Sequence, residues 1–289
     1  MTALDLWRAQ LEAWQIPPAI LAAAPEPPWG FPAELFRNRA AGSGAGQNPT
    51  TRRGAEALPE GGSVLDVGCG GGATSLPLAS RAGLLVGLDG QADMLPSFAR
   101  AAEIAGVDAT TICAGWPEDA HEVEPADVVM CGHVLYNVAD VRPFLEALDR
   151  HARHRVVLEL TAEHPLAWTK DLWERFHGLP RPLGPRAEDA LAAIREIGVT
   201  PHRQDGRERE NHPTGGGFAR REDAIALVRR RLCLSATHDP QIEAALGPRL
   251  REHGGRWSAG PREQEIVTIW WDRPEDSSIL RPSPPATPG

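Results

Sequence analysis

Residues 64–79 read Val-Leu-Asp-Val-Gly-Cys-Gly-Gly-Gly-Ala-Thr-Ser-Leu-Pro-Leu-Ala, and no other stretch limits the fold of this chain so sharply. The apolar run of Val64, Leu65 and Val67 is stopped by Gly68, Gly70, Gly71 and Gly72, after which Leu76, Leu78 and Ala79 resume without the alternation of a strand. The pattern predicts a buried strand, a tight turn and a helix. Glycine suits such a turn twice: it accepts positive φ, and without a Cβ it lets a ligand approach the backbone and the helix N-terminus. The stretch is predicted to be a nucleotide-type binding loop.

Two ligand classes use that geometry. Gly68, Gly70 and Ala73 satisfy the G-x-G-x-x-G/A spacing of dinucleotide binders, which by itself allows a nicotinamide-dependent oxidoreductase. Asp66 argues for the other class, because a carboxylate before the turn repels pyrophosphate and attracts the ammonium and sulfonium of S-adenosylmethionine. Val64 to Gly72 matches hydrophobic-Leu-Asp-x-Gly-x-Gly-x-Gly without a gap. On these residues the chain resembles the class I S-adenosylmethionine-dependent methyltransferases. The resemblance implies an α/β fold with a Rossmann-like, seven-stranded, mostly parallel sheet, and S-adenosylmethionine as cofactor.

The rest of the chain supplies the expected partners of that loop. Leu84 to Leu88 is a second buried strand ending at Asp89-Gly90, and Asp89 follows Gly68 by 21 positions, the distance at which a βαβ unit returns beside its ligand. A carboxylate there can accept two hydrogen bonds from ribose hydroxyls. The resemblance implies that Met94 packs near the adenine, and that the turn Ala114-Gly115-Trp116-Pro117 contacts the base, with Trp116 either stacking on it or wedging the loop. Asp119 is a further candidate for the adenine amine. Cofactor contacts are thus expected from Asp66, Gly68, Cys69, Gly70, Asp89, Gly90, Met94, Gly115, Trp116, Gly132 and His133.

A strand at Asp108 to Cys113, a fourth at Asp127 to Cys131 and a fifth at Arg155 to Leu160 follow, with helices near Ala92 to Ala105 and Val141 to Arg153. Ligands of open parallel sheets bind beyond the carboxyl ends of the strands, which puts His133 toward the methyl group or the acceptor, as base or as structural residue. Glu159, near the end of the fifth strand, is expensive to bury unless it is paired or faces a site. With His164 in the following loop, these three are the catalytic candidates. Cys131 to Val134 lacks the Asn/Asp-Pro-Pro-Tyr/Phe run of the base-amino methylating members, which argues against nucleic-acid amines as acceptors.

A sixth strand is expected near Val199 and a seventh at Glu265 to Trp271. Between them, at about 208–262, lies a helical insertion with helices near Ala219 to Leu232 and Pro240 to Glu252. Residues 1–56 form an N-terminal helical cap segment, with Leu4, Leu6, Trp7, Leu11 and Trp14 near one helical stripe and Trp29, Phe36, Arg37 and Arg39 as second-tier site candidates. A Gly- and Ala-rich connector covers Ala40 to Pro49. Residues 57–271 form the cofactor-binding domain, and 272–289 a Pro- and Ser-rich disordered tail.

A net charge of −9 argues against nucleic acid as partner, and the arginines from Arg203 to Arg231 are interleaved with acids in the manner of a solvated, salt-bridged face. Four cysteines at spacings that match neither zinc sites nor disulfide frameworks point to a reduced, metal-free, cytoplasmic protein, and no apolar run is long enough for a membrane. The expected substrate is a small-molecule methyl acceptor. A non-catalytic S-adenosylmethionine-binding protein is the other reading of the same loop. The N-terminal helix either caps the site or joins a second subunit as a homodimer.

Overall fold

The computed structural model describes residues 1–29, 48–209 and 217–274. Nine strands are present among them: β1 (Gly62–Val67), β2 (Ala82–Asp89), β3 (Asp108–Cys113), β4 (Ala126–Gly132), β5 (Ala152–Thr161), β6 (His202–Arg209), β7 (Leu250–His253), β8 (Arg256–Ala259) and β9 (Glu263–Asp272). Seven form one sheet in the order β3-β2-β1-β4-β5-β9-β6. β1 to β5 pair in parallel, and β9 runs antiparallel between β5 and β6. The expected seven-stranded, mostly parallel sheet is borne out.

Both faces of the central strands are covered, so these strands are mostly apolar, interrupted by the buried acids Asp66 in β1 and Glu159 in β5. Leu65, Val67, Val129, Cys131, Val156 and Leu158 point to one face, where they meet the helices Val141–His151 and Ala187–Glu196 and the indole of Trp7. Val64, Val128, Met130 and Val157 point to the other, with Leu85, Phe98, Leu58 and Leu78. That second face carries a helix, Pro49–Ala57, where only a connector was expected at its start. Asn48 caps it by accepting from the Thr50 N–H at 2.8 Å, and Pro49 occupies its first turn, where a missing N–H costs nothing.

Two other expectations fail. The helix predicted after the glycine loop is only a 3₁₀ turn, Leu76–Leu78. Pro77 contributes no N–H, the Ser75 hydroxyl is spent on Asp66, and β2 begins at Ala82, which leaves no length for further turns. The second error is the hairpin β7–β8, which stands where the last expected helix was to continue; that helix ends at Leu246.

The N-terminal helix Ala3–Glu12 is fixed by a capping box of Thr2 and Asp5 and by Trp7, whose ring is fully buried and whose Nε1 donates to the Val138 carbonyl. Between β6 and β9 the chain forms helices Arg221–Arg231 and Asp239–Leu246 and the β7–β8 hairpin. They share a separate apolar cluster with Ile16, Leu172 and Trp173. Asp272, expected in the tail, closes β9, and the Arg273 N–H donates to the His154 carbonyl; residues 275–289 lie outside the described residues.

Candidate active site

The carboxyl ends of β1, β2 and β4 converge on the glycine loop. Gly68 has φ +72°, and a Cβ built on it would lie 2.3 Å from Cγ2 of Val134, so no larger residue fits between the loop and the segment after β4. Gly132 closes the other side: a Cβ there would stand 2.4 Å from the Thr74 hydroxyl oxygen. By contrast, a Cβ on Gly70 would meet only the Met94 methyl at 3.7 Å, and one on Gly90 only the Ala114 carbonyl at 3.9 Å. The space over Gly70 and Gly90 is open, and Asp89 stands between them in the chain at the end of β2.

Asp89 shapes the loop that it borders. Its Oδ2 accepts from the Gly70 N–H and its Oδ1 from the Gln91 N–H, both at 2.9 Å. Each carboxylate oxygen keeps a second lone pair for a ligand hydroxyl. Met94 precedes the helix Leu95–Ala105 and is half-buried beside Gly70. Cys69 is buried in the core, and its thiol is pushed well above the usual range by burial and the nearby Asp66 and Asp89 charges.

Asp66 does not face a ligand. It is 1% exposed and accepts from the Ser75 hydroxyl at 2.6 Å, holding the turn from below. Burial pushes its carboxyl up to about 7, with the Ser75 bond opposing and the Asp89 charge adding. The argument that Asp66 attracts a cation directly is therefore corrected: the residue acts by shaping the loop. The native state holds this proton between the ordinary 3.8 and about 7, where the unfolded chain has released it, so stability falls as pH rises through that window. Asp66→Asn removes the dependence. Urea melts at pH 5 and pH 8 should show the variant gaining a few kcal/mol on wild type at the higher pH; an equal difference at both pH values would refute the assignment.

At the ends of β4 and β5, His133 and Glu159 form a pair. His133 has φ +61°, uncommon for a residue with a side chain. Its N–H donates to the Glu159 carbonyl at 2.8 Å, and its Nε2 lies 3.2 Å from Glu159 Oε1. Asn48 Nδ2 donates to Glu159 Oε2 at 3.0 Å. Burial by itself would raise Glu159, but the His133 hydrogen bond and charge, with Thr50 and Asn48, hold it down at about 2. The carboxylate is thus ionised and almost wholly enclosed, while the imidazole is one-fifth exposed. Such an arrangement fixes the ring and compensates a proton arriving on it. Glu159 is therefore paired to His133 and enclosed, with little surface of its own toward the site.

His164 is not part of this pair. Its ring stacks on Trp14 at 4.1 Å and meets the edge of Tyr136, and its Nδ1 accepts from the Leu166 N–H. Burial and the Arg181 charge push it down to about 3, which leaves it neutral and a poor base. The base role expected for His164 is corrected to packing. Trp116 is likewise turned inward, donating Nε1 to the Phe144 carbonyl and standing edge-on to His151, so it wedges the loop. Asp119 accepts from the Gly115 N–H at 2.8 Å and holds that turn. Phe36, Arg37 and Arg39 lie outside the described residues; Trp29 is exposed.

Asn48 was missed by sequence reasoning although Asn-Pro is a helix-start signal. Many of the arginines from Arg203 to Arg231 behave as expected, pairing with acids: Arg203 with Glu188 and Asp205, Arg220 with Glu222, Arg229 with Asp239. Among the described residues no helix is long and apolar enough to cross a membrane.

A sheet in the order 3-2-1-4-5-7-6, with its glycine loop after the first strand and an acid at the end of the second, defines a methyltransferase-type Rossmann fold. Residues 64–155 match the family model described as a methyltransferase domain. No curated protein matches it in sequence. Solved structures are similar over most of the chain. A S-adenosylmethionine-dependent methyltransferase from Geobacter sulfurreducens, in complex with S-adenosylhomocysteine, is 18% identical over 84% of this chain and 99% of that one, with a TM-score of 0.50. The protein BH2331 from Bacillus halodurans C-125 is 15% identical over 77% of this chain and 96% of its own, also at 0.50. A protein that converts a disulfide bond into a thioacetal group during echinomycin biosynthesis is 18% identical over 86% and 95%, again at 0.50. At these identities the likeness speaks for the fold.

Proposed function

We propose that this protein binds S-adenosylmethionine over the glycine loop and transfers its methyl group to a small-molecule acceptor. The observation that carries the reading is the open space above Gly70 and Gly90, flanked by the Asp89 carboxylate and Met94. The residues fit the cofactor: Asp89 has lone pairs left for ribose hydroxyls, Met94 offers an apolar contact beside Gly70, and Gly68 and Gly132 let the loop pack tightly on Val134 and Thr74. The complex with S-adenosylhomocysteine formed by the similar Geobacter protein supports the same ligand. When bound, the cofactor supplies a methyl carbon activated by positive sulfur.

What the chain must then add is alignment, exclusion of water and a place for a proton. With its Nε2–H donating to Glu159, the His133 ring leaves Nδ1 to accept the proton that a hydroxyl or ammonium acceptor gives up. The helices before β1 and after β6 supply the walls of the acceptor site.

Calorimetric titration with S-adenosylhomocysteine, with NADH as control, tests the reading. Wild type should bind the sulfur ligand at about micromolar Kd, near −8 kcal/mol, and not NADH. Asp89→Ala should weaken it at least tenfold, since hydrogen bonds to a charged group contribute about 1.5–3 kcal/mol. Binding of NADH alone would overturn the proposal.

A further inference from the structure

β4 stops short of the end of β5. Gly132, its last residue, pairs with Glu159, and the His133 N–H donates to the Glu159 carbonyl, but β5 continues to Thr161 with no residue of β4 left opposite. Backbone groups alternate between the two neighbours of a strand, so the Thr161 N–H and C=O point to the same side as those of Glu159. Buried groups of this kind must find partners. The Tyr136 hydroxyl meets them: it accepts from the Thr161 N–H at 3.0 Å and lies 2.9 Å from both the Thr161 carbonyl and Thr161 Oγ1. Thr161 Oγ1 donates its own proton to the Glu163 carbonyl, which leaves it an acceptor for the phenol. A side chain thus supplies the rung that β4 lacks.

That side chain is itself held. Tyr136, the only tyrosine of the chain, is 9% exposed, stacks on Trp7 with ring centroids 6.3 Å apart and meets the His164 ring edge-on at 5.3 Å. Burial pushes its hydroxyl up to about 12, against the bonds to Thr161 that lower it, so the phenol keeps its proton. His133 consequently sits between two ties to β5, its own N–H on Glu159 and, one short turn later, the Tyr136 hydroxyl on Thr161. A side chain at φ +61° persists where the structure on both sides fixes the backbone, and the direction of the imidazole follows from that backbone.

We infer that Tyr136 is a positioning residue of the methyl-transfer site: its hydroxyl, bound to Thr161, holds the turn after β4 so that His133 Nε2 stays on Glu159 and Nδ1 is left for the acceptor. The part that concerns transfer rests on the proposed function; the hold on the ring does not. The test is two-bond proton–nitrogen correlation spectroscopy of the full chain with isotopically labelled histidine, which reports the ring nitrogen that carries the proton. His133→Gln identifies the signal among ten histidines. In wild type the neutral His133 ring should carry its proton on Nε2. Tyr136→Phe, which keeps the ring between Trp7 and His164, should lower the ratio of that tautomer to the other by about tenfold or more, the factor that a hydrogen bond to a charged group contributes. A tyrosine that only stabilises the fold would lower the melting temperature and leave the ratio unchanged, and that result would overturn the inference. Equal tautomers in wild type would overturn it too, however the variant folds. With an acceptor found by screening, Tyr136→Phe should lose kcat by about tenfold or more at unchanged KM, and a loss confined to KM would count against it. A shifted ratio in a protein that binds no S-adenosylhomocysteine would leave the hold on His133 assigned and remove the methyltransferase reading.

Discussion

Gly68→Ala is expected to abolish cofactor binding and to destabilise the fold by about 2–4 kcal/mol, the sum of left-handed strain and overpacking. The new Cβ would stand 2.3 Å from Val134 Cγ2 at a φ of +72°, and neither the backbone nor a stiff valine can yield cheaply. Relief requires the glycine loop and the segment after β4 to separate, and His133 neighbours that valine in the chain. In thermal melts the loss corresponds to roughly 5–10 °C for a domain of this size. A variant that kept its melting temperature and its affinity for S-adenosylhomocysteine would show that the loop tolerates the contact, and the account of the site would fail with it.

His133→Ala should lower methyl transfer by about 10²–10⁴-fold while leaving S-adenosylhomocysteine affinity nearly unchanged. The measurement is transfer of a radiolabelled methyl group to an acceptor found by screening. His133→Gly separates chemistry from structure. Glycine relieves the positive φ of this position, so the variant should be no less stable through its backbone, yet equally slow. Glu159→Gln should fall between wild type and His133→Ala, because the ring keeps a hydrogen-bond partner but loses the compensating charge. Full turnover in His133→Ala would mean that alignment suffices and that no base is needed.

The central strands were legible because burial on both faces writes them as mostly apolar runs; Val64 to Val67 and Val156 to Leu160 are each broken by a single acid, Asp66 or Glu159. The site's first layer was legible for a related reason. Asp89 and His133 sit at the ends of such runs, and strand ends are where this topology brings a ligand. Side-chain direction was not legible. Trp116 and His164 lie at the right points of the chain and turn into the core, since neighbours from distant segments, Phe144 and Trp14, offered them partners. Two local signals were overlooked. Asn48-Pro49 marks a helix start, and Gly254-Gly255, both at positive φ, is the two-residue turn of the β7–β8 hairpin. The absent helix after Gly72 was a matter of length, which periodicity alone does not measure.

The antiparallel strand β9 has a consequence for how the molecule is made. It comprises residues 263–272, yet it sits between β5 and β6 in the sheet, so the ribosome delivers a central strand only after β6 and the whole insertion. Until it arrives, β5 presents an unpaired edge carrying Val156, Val157 and Leu158, and β6 has no neighbour at all. The nascent chain therefore passes through a long interval with an apolar edge open to other chains, the condition under which parallel sheets aggregate. Synthesis that stalls anywhere in the insertion prolongs that interval. The insertion thereby sets a delay in folding as well as building walls for a pocket.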